Sequence, residues 1–115
     1  MFELNWTENA ITTFKQLEKV AGKAKENREQ KDKKKSSPQE GLFKQIVKML
    51  KLLRENPRHP GLNTHEYHSL DHPWSKKEKI LESYIQNNTP AAYRVFWCYG
   101  PKKQEITIIG ITSHP

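Results

Sequence analysis

The stretch AYRVFWCYGPKKQEITIIGIT, residues 92–112, decides the fold class. β-branched and aromatic side chains dominate Ala92–Tyr99 and Glu105–Thr112, and Gly100-Pro101-Lys102-Lys103 between them is a turn, so the segment predicts a β-hairpin. Both strands are apolar on both faces, which places them inside a sheet rather than at its edge. Alternation sets Arg94, Phe96 and Cys98 on one face and Tyr93, Val95, Trp97 and Tyr99 on the other. The same count along the second strand sets Ile106, Ile108, Gly110, Thr112 and His114 on a common face.

Upstream of the hairpin, Lys79–Gln86 reads two ways. Ile80, Leu81, Tyr84 and Ile85 suit one face of a short helix, while Leu81, Ser83 and Ile85 alternate as in a strand. Residues 58–74 (RHPGLNTHEYHSLDHPW) are rich in proline, histidine and turn formers, and read as loop with room for a short strand. Before them, Ser37-Pro38-Gln39-Glu40 is a helix start: a capping serine, a proline in the first turn and a glutamate that closes a capping box. Leu42, Phe43, Ile46, Val47, Leu50 and Leu53 form its apolar stripe, and Asn56-Pro57 stops it. At the N-terminus, Phe2, Leu4 and Trp6 alternate as a strand. Thr7 then caps a helix whose stripe is Ile11, Phe14, Leu17, Ala21 and Ala24. Beyond Ala24 the run KENREQKDKKK is wholly polar, and either projects as solvated helix or frays. The order strand, helix, helix, strands makes a single α+β domain over residues 1–115, with the two helices paired as an antiparallel hairpin against the sheet.

The chain has 115 residues, enough for one modest core. Lysine and arginine number 20 against 13 acidic residues, a formal charge of +7. That excess suits a polyanionic partner (RNA, DNA or an acidic protein), although lysines also serve simple solubility. No stretch has the apolar length needed to cross a bilayer, and MFELNWTENA has no basic region followed by an apolar run, so the expected location is the cytoplasm. The single cysteine, Cys98, has no internal disulfide partner and lies in an apolar run, as a small core residue would.

Arg94 is the first residue to examine for chemistry, because an arginine within a central strand must meet a carboxylate, a phosphate or water. A structural ion pair and a phosphate site both meet that need. His65, His68 and His72 are spaced three and four apart, but turn formers surround them and no cysteine completes a zinc pattern, so no metal site is expected. Glycine-rich phosphate loops, GxSxG and HExxH are all absent.

Thr89-Pro90-Ala91-Ala92-Tyr93-Arg94-Val95-Phe96-Trp97, the turn, Ile106–Ile111 and Ser113-His114 together resemble the C-terminal sheet of the RelE/ParE superfamily of bacterial toxins. Asn56-Pro57-Arg58-His59-Pro60-Gly61-Leu62 and His68-Ser69-Leu70 resemble that family's link from second helix to sheet. The likeness spans almost the whole chain and rests on the order of short motifs. It implies that Lys79–Gln86 is a strand. It also implies a type II toxin acting as a ribosome-dependent messenger RNA endonuclease, with no metal or other cofactor. In such a reaction Arg94 would meet the phosphate and His114 would transfer a proton. Lys48, Lys51, Arg54, Arg58, Lys102 and Lys103 are candidate RNA backbone contacts, each also readable as a solvated charge. A toxin of this kind implies an antitoxin partner with an acidic, partly disordered segment, and the chain alone is expected to be a monomer or weak dimer.

Two other functions fit the same residues. A ParE-like relative would poison DNA gyrase by binding alone, and a non-toxic RNA- or protein-binding module would keep the fold without the chemistry. The last strand is uncharged from Ile106 to Ser113, unlike several active relatives, and this keeps both alternatives open.

Overall fold

The computed structural model describes residues 1–85 and 93–113. Its elements run β1 (Glu3–Trp6), α1 (Glu8–Gln30), α2 (Pro38–Glu55), a 3-10 turn at Pro60–Leu62, β2 (His65–Tyr67), β3 (Ile80–Tyr84), β4 (Tyr93–Tyr99) and β5 (Glu105–Ser113). The five strands form one sheet in the order β1-β5-β4-β3-β2, antiparallel except for the parallel pair β1–β5. The doubly apolar strands β4 and β5 thus lie inside the sheet. Within the stretch that reads two ways, residues 80–84 take the strand form as β3, paired in register with β4 through Leu81↔Trp97 and Tyr84↔Arg94, and Gln86 lies outside the described residues.

One face of the sheet packs under the helices. Val95, Trp97, Ile106, Ile108 and Ile111 meet Ala10, Ile46, Met49, Leu50 and Leu53 there, with Phe14, Leu17 and Leu42 packed around them. Trp97 is fully buried, and its indole N–H donates to the Ser83 hydroxyl at 2.9 Å, which in turn shares a 2.8 Å hydrogen bond with Thr64.

The sequence count fails at one point along β5. Phe96 pairs with Gly110 but Trp97 pairs with Ile108, so Ile109 has no residue opposite it. This bulge reverses the alternation beyond it. Ile111 joins Ile106 and Ile108 under the helices, while Gly110 and Thr112 fall opposite Phe96 and Arg94 on the far face. Thr7 anchors the irregular stretch: its backbone N–H donates to the Ile108 carbonyl at 3.0 Å and its hydroxyl to the Ile109 carbonyl at 2.9 Å. The same hydroxyl oxygen accepts from the Ala10 N–H, so the N-cap of α1 and the bulge share one side chain.

The polar end of α1 remains helical to Gln30. An ion pair fastens it to the start of α2. Arg28 donates to both oxygens of the buried Glu40, at 2.9 Å from Nη2 and 2.9 Å from Nε, and Glu40 also accepts from the Ser37 N–H to close the capping box. The hydrogen bonds from Arg28, then those from Ser37, hold the Glu40 carboxyl down at about 2 against an ordinary 4.5. A depressed carboxyl adds stability above its unfolded value, and that stability is lost as pH falls through the folded one. The melting temperature should therefore drop between about pH 4.5 and pH 2. Glu40→Gln should flatten that slope in melts followed by far-UV circular dichroism, and an unchanged slope would contradict the assignment.

Among the described residues no helix is long and apolar enough to cross a membrane.

Candidate active site

The face of the sheet away from the helices carries His65, Tyr67, Glu82, Tyr84, Arg94 and Phe96, as the strand registers require. Arg94 lies at its centre. Its Nη1 donates to Glu82 Oε2 at 2.6 Å, and both side chains are largely buried, 14% and 7% exposed. The guanidinium carbon lies 4.9 Å from the Phe96 ring centre and 5.4 Å from that of Tyr67, and these two rings pack on each other at 4.6 Å. Aromatic faces attract a cation and leave it weakly hydrated. The Arg94 Nε–H is buried and finds no hydrogen-bond partner among the described residues.

Tyr84 completes the cluster. Its phenol hydrogen-bonds to Glu82, which together with burial raises its pKa and keeps it neutral, and His65 meets its ring edge-on at 6.1 Å. The site therefore holds a carboxylate, a guanidinium and a phenol within mutual reach. A carboxylate can take a proton, and a guanidinium can hold an oxyanion.

The loop 68–79 folds over the neighbouring part of the same face. Its His72 is almost fully buried and accepts through Nδ1 from the backbone N–H groups of Trp74 (3.2 Å) and Ser75 (3.1 Å). Trp74 meets the His72 ring edge-on at 4.7 Å and approaches Gly100 closely. Cys98 is buried on this face, and burial, aided by the nearby Glu78, pushes its thiol up to about 11. Such a thiol is inert at neutral pH. Between this loop and the β2–β3 edge lies a hollow of about 710 Å³, bordered by Tyr67, His68, Lys76 and Lys77.

Gly100 has φ +99°, and an added Cβ would lie 3.0 Å from a Trp74 ring carbon. Gly100→Ala should destabilise the protein by about 1–3 kcal/mol, through backbone strain and displacement of Trp74. Urea unfolding measures this, and a loss below about 0.5 kcal/mol would mean that neither the angle nor the contact matters.

The other candidates from the sequence are dispersed. Lys48, Lys51, Arg54 and Arg58 are exposed along α2 and its exit. Lys48 shares a cleft of about 220 Å³ with Tyr84. Arg54 donates to the Phe2 carbonyl at the β1 edge, the side of the sheet opposite β2. Lys102 and Lys103 lie in the turn after β4, beyond a strand end some 16 Å from Arg94 at ~3.3 Å per residue. His114 lies outside the described residues. His65, His68 and His72 do not converge: His65 packs on Tyr84, His68 approaches Glu66 at 3.8 Å, and His72 is enclosed by its own loop. Among the described residues no group of three or more His, Cys, Asp or Glu is placed to hold a metal ion.

Glu82 and Tyr84 escaped the sequence reading. The signal was their spacing: once 80–84 is a strand, both fall on the face that pairs with Arg94 and Phe96.

Two helices on one face of a β1-β5-β4-β3-β2 sheet make a RelE/ParE-like fold. The chain is similar to a YoeB/ParE toxin from Agrobacterium tumefaciens, with a TM-score of 0.58 and 11% identity over 98% of this chain and 99% of that one. It is also similar to a chain of the intact E. coli RelBE toxin–antitoxin complex, with a TM-score of 0.53 and 14% identity over 100% of this chain and 99% of that one. At such identities the likeness is one of fold. No family model matches the sequence, and no curated protein matches it.

Proposed function

We propose that this protein is the toxin of a type II toxin–antitoxin pair and cleaves messenger RNA on the ribosome without a metal ion. The observation that carries this reading is the Glu82–Arg94 pair, 2.6 Å apart on the helix-free face and walled by Tyr67 and Phe96. Glu82 takes the proton of an RNA 2′-hydroxyl as that oxygen attacks the adjacent phosphorus. Arg94 holds the charge that builds on the phosphate oxygens. The bond from phosphorus to O5′ breaks, its electron pair stays on O5′, and His114 supplies the proton. The products are a 2′,3′-cyclic phosphate and a 5′-hydroxyl. The part given to His114 rests on the family resemblance. The half-buried Tyr67 offers a flat aromatic face to a base.

The antitoxin follows from the same reading. One structural neighbour is a chain of a toxin–antitoxin complex, and a surface of net charge +7 suits an acidic, partly disordered segment that folds as it binds. A cytoplasmic location is part of the proposal.

A gyrase-binding toxin of the same fold draws on the same pair, since an arginine satisfied by a buried carboxylate also fits a structural role. Induced expression in a bacterium, followed by growth and by messenger RNA 5′-ends, separates the two. Arrest with new 5′-hydroxyl ends, both lost in Arg94→Ala with His114→Ala, is the expected result. Arrest without new ends would move the assignment to gyrase, and soluble protein with no arrest would remove the toxin altogether.

A further inference from the structure

We propose that the tip of the α1–α2 hairpin is a docking surface for the phosphate backbone of RNA, separate from the Arg94 site. The proposal takes from the functional reading above only the identity of its polyanion.

The first observation is shape. The molecule measures 52 × 27 × 23 Å. A five-stranded sheet is about 19 Å wide and its nine-residue strand about 30 Å long, so the sheet does not supply the long dimension. α1, with 23 residues, is about 34 Å long. After Ala21 no side chain is buried until Glu40, so the end of the hairpin stands clear of the core.

The second observation is charge. Residues 23–35 carry seven basic side chains against three acidic, a net +4 out of the chain's +7. The segment is also held in place. Arg28 grips Glu40, and its Nη1 donates to the Lys33 carbonyl at 3.2 Å, while the Lys33 N–H donates to the Arg28 carbonyl at 3.0 Å. The linker lysines are therefore presented on a fixed path. Between the helix ends lies a cleft of about 350 Å³ bordered by Arg28, Lys31, Lys33, Lys35 and Ser37.

The third observation selects the partner. From Lys25 to Ser37 there is no apolar residue. A protein interface draws its affinity from a desolvated apolar or aromatic centre, which this tip lacks. A hydrated polyanion needs no such centre, because release of its condensed counterions drives binding. The exposed apolar residues of the hairpin, Val20 and Val47, lie outside the tip and are better suited to a protein such as the antitoxin.

The test uses the full chain and a fluorescent RNA hairpin methylated at every 2′-oxygen, which offers phosphates but has no 2′-hydroxyl to react. Lys33→Glu with Lys34→Glu and Lys35→Glu should weaken binding by at least about tenfold at 0.1 M salt. The slope of log K against log salt should become shallower by about 2–3 if all three lysines contact phosphates. The corresponding triple change to glutamine should give a smaller loss in the same direction, and circular dichroism melts establish that both variants fold. Unchanged RNA binding in the glutamate variant would overturn the proposal. So would an effect confined to a poly-glutamate probe, which would assign the tip to an acidic protein. Cleavage of unmodified message is scored separately. A wild type that binds the probe through the tip but cuts nothing would remove the nuclease and leave the tip standing, whereas cleavage with probe binding unaffected by the substitutions would remove the tip alone.

Discussion

Arg94→Ala is expected to lower RNA cleavage by at least about 10²–10³-fold, the cost typical of removing one positioned donor from a charged transition state. The same change leaves Glu82 without its cation, 7% exposed and paired across the strands with Phe96. Breaking a buried pair from one side costs about 3–5 kcal/mol. Loss of cleavage alone is therefore ambiguous, and two further variants separate chemistry from folding. Arg94→Lys keeps the charge against Glu82 but loses the planar fork that suits a phosphate, so it should fold better than the alanine variant and still cleave poorly. Glu82→Gln keeps the shape and removes the base, so it should slow cleavage under single-turnover conditions with message in place on ribosomes. The assignment is overturned if folded Arg94→Lys and Glu82→Gln both cleave within about twofold of the wild type.

The second large effect is structural. Trp97 is the largest of the fully buried side chains, on a central strand between Leu81 and Ile108. Trp97→Ala should cost about 3–5 kcal/mol, from lost apolar burial and the cavity left behind. Domains of this size are stable by only about 5–15 kcal/mol, so the variant should be close to unfolding at 37 °C. Trp97→Phe keeps most of the volume but removes the donor to Ser83, and about 1–2 kcal/mol is expected. Urea midpoints measured by circular dichroism compare the two. Equal losses would mean that the hydrogen bond outweighs the packing, contrary to this account of the core.

The sequence is most legible where one local rule acts alone. Ser37, Pro38 and Glu40 mark the start of α2 because capping is local chemistry, and the capping box is present. The doubly apolar runs at 93–99 and 105–113 mark interior strands because burial on both faces leaves no alternative. Legibility fails where partners are distant. The carboxylate that satisfies Arg94 is twelve residues away on a strand whose own periodicity is ambiguous, and only the β3–β4 register brings Glu82 beneath it. The grip of Arg28 on Glu40 likewise joins two helices across a linker, and no pattern within either helix announces it. The basic residues suggested by charge are harder to read, because exposure imposes no geometry on them: Lys48 shares a cleft with Tyr84, while Arg54 lies at the β1 edge.

The unpaired residue at Ile109 behaves as a parity change written into the last strand. Before it, even-numbered residues point to the core; after it, odd-numbered ones do. Deleting Ile109 would remove the bulge and leave both faces as they are, whereas straightening the strand with Ile109 paired to Phe96 would exchange the fates of Ile111 and Thr112, sending a hydroxyl under the helices and an isoleucine out beside Arg94. The facing of this strand's tail is thus set by the bulge as well as by composition. Loss or gain of the bulge at constant strand length gives a fold of this kind a route to reassigning which side chains border the arginine.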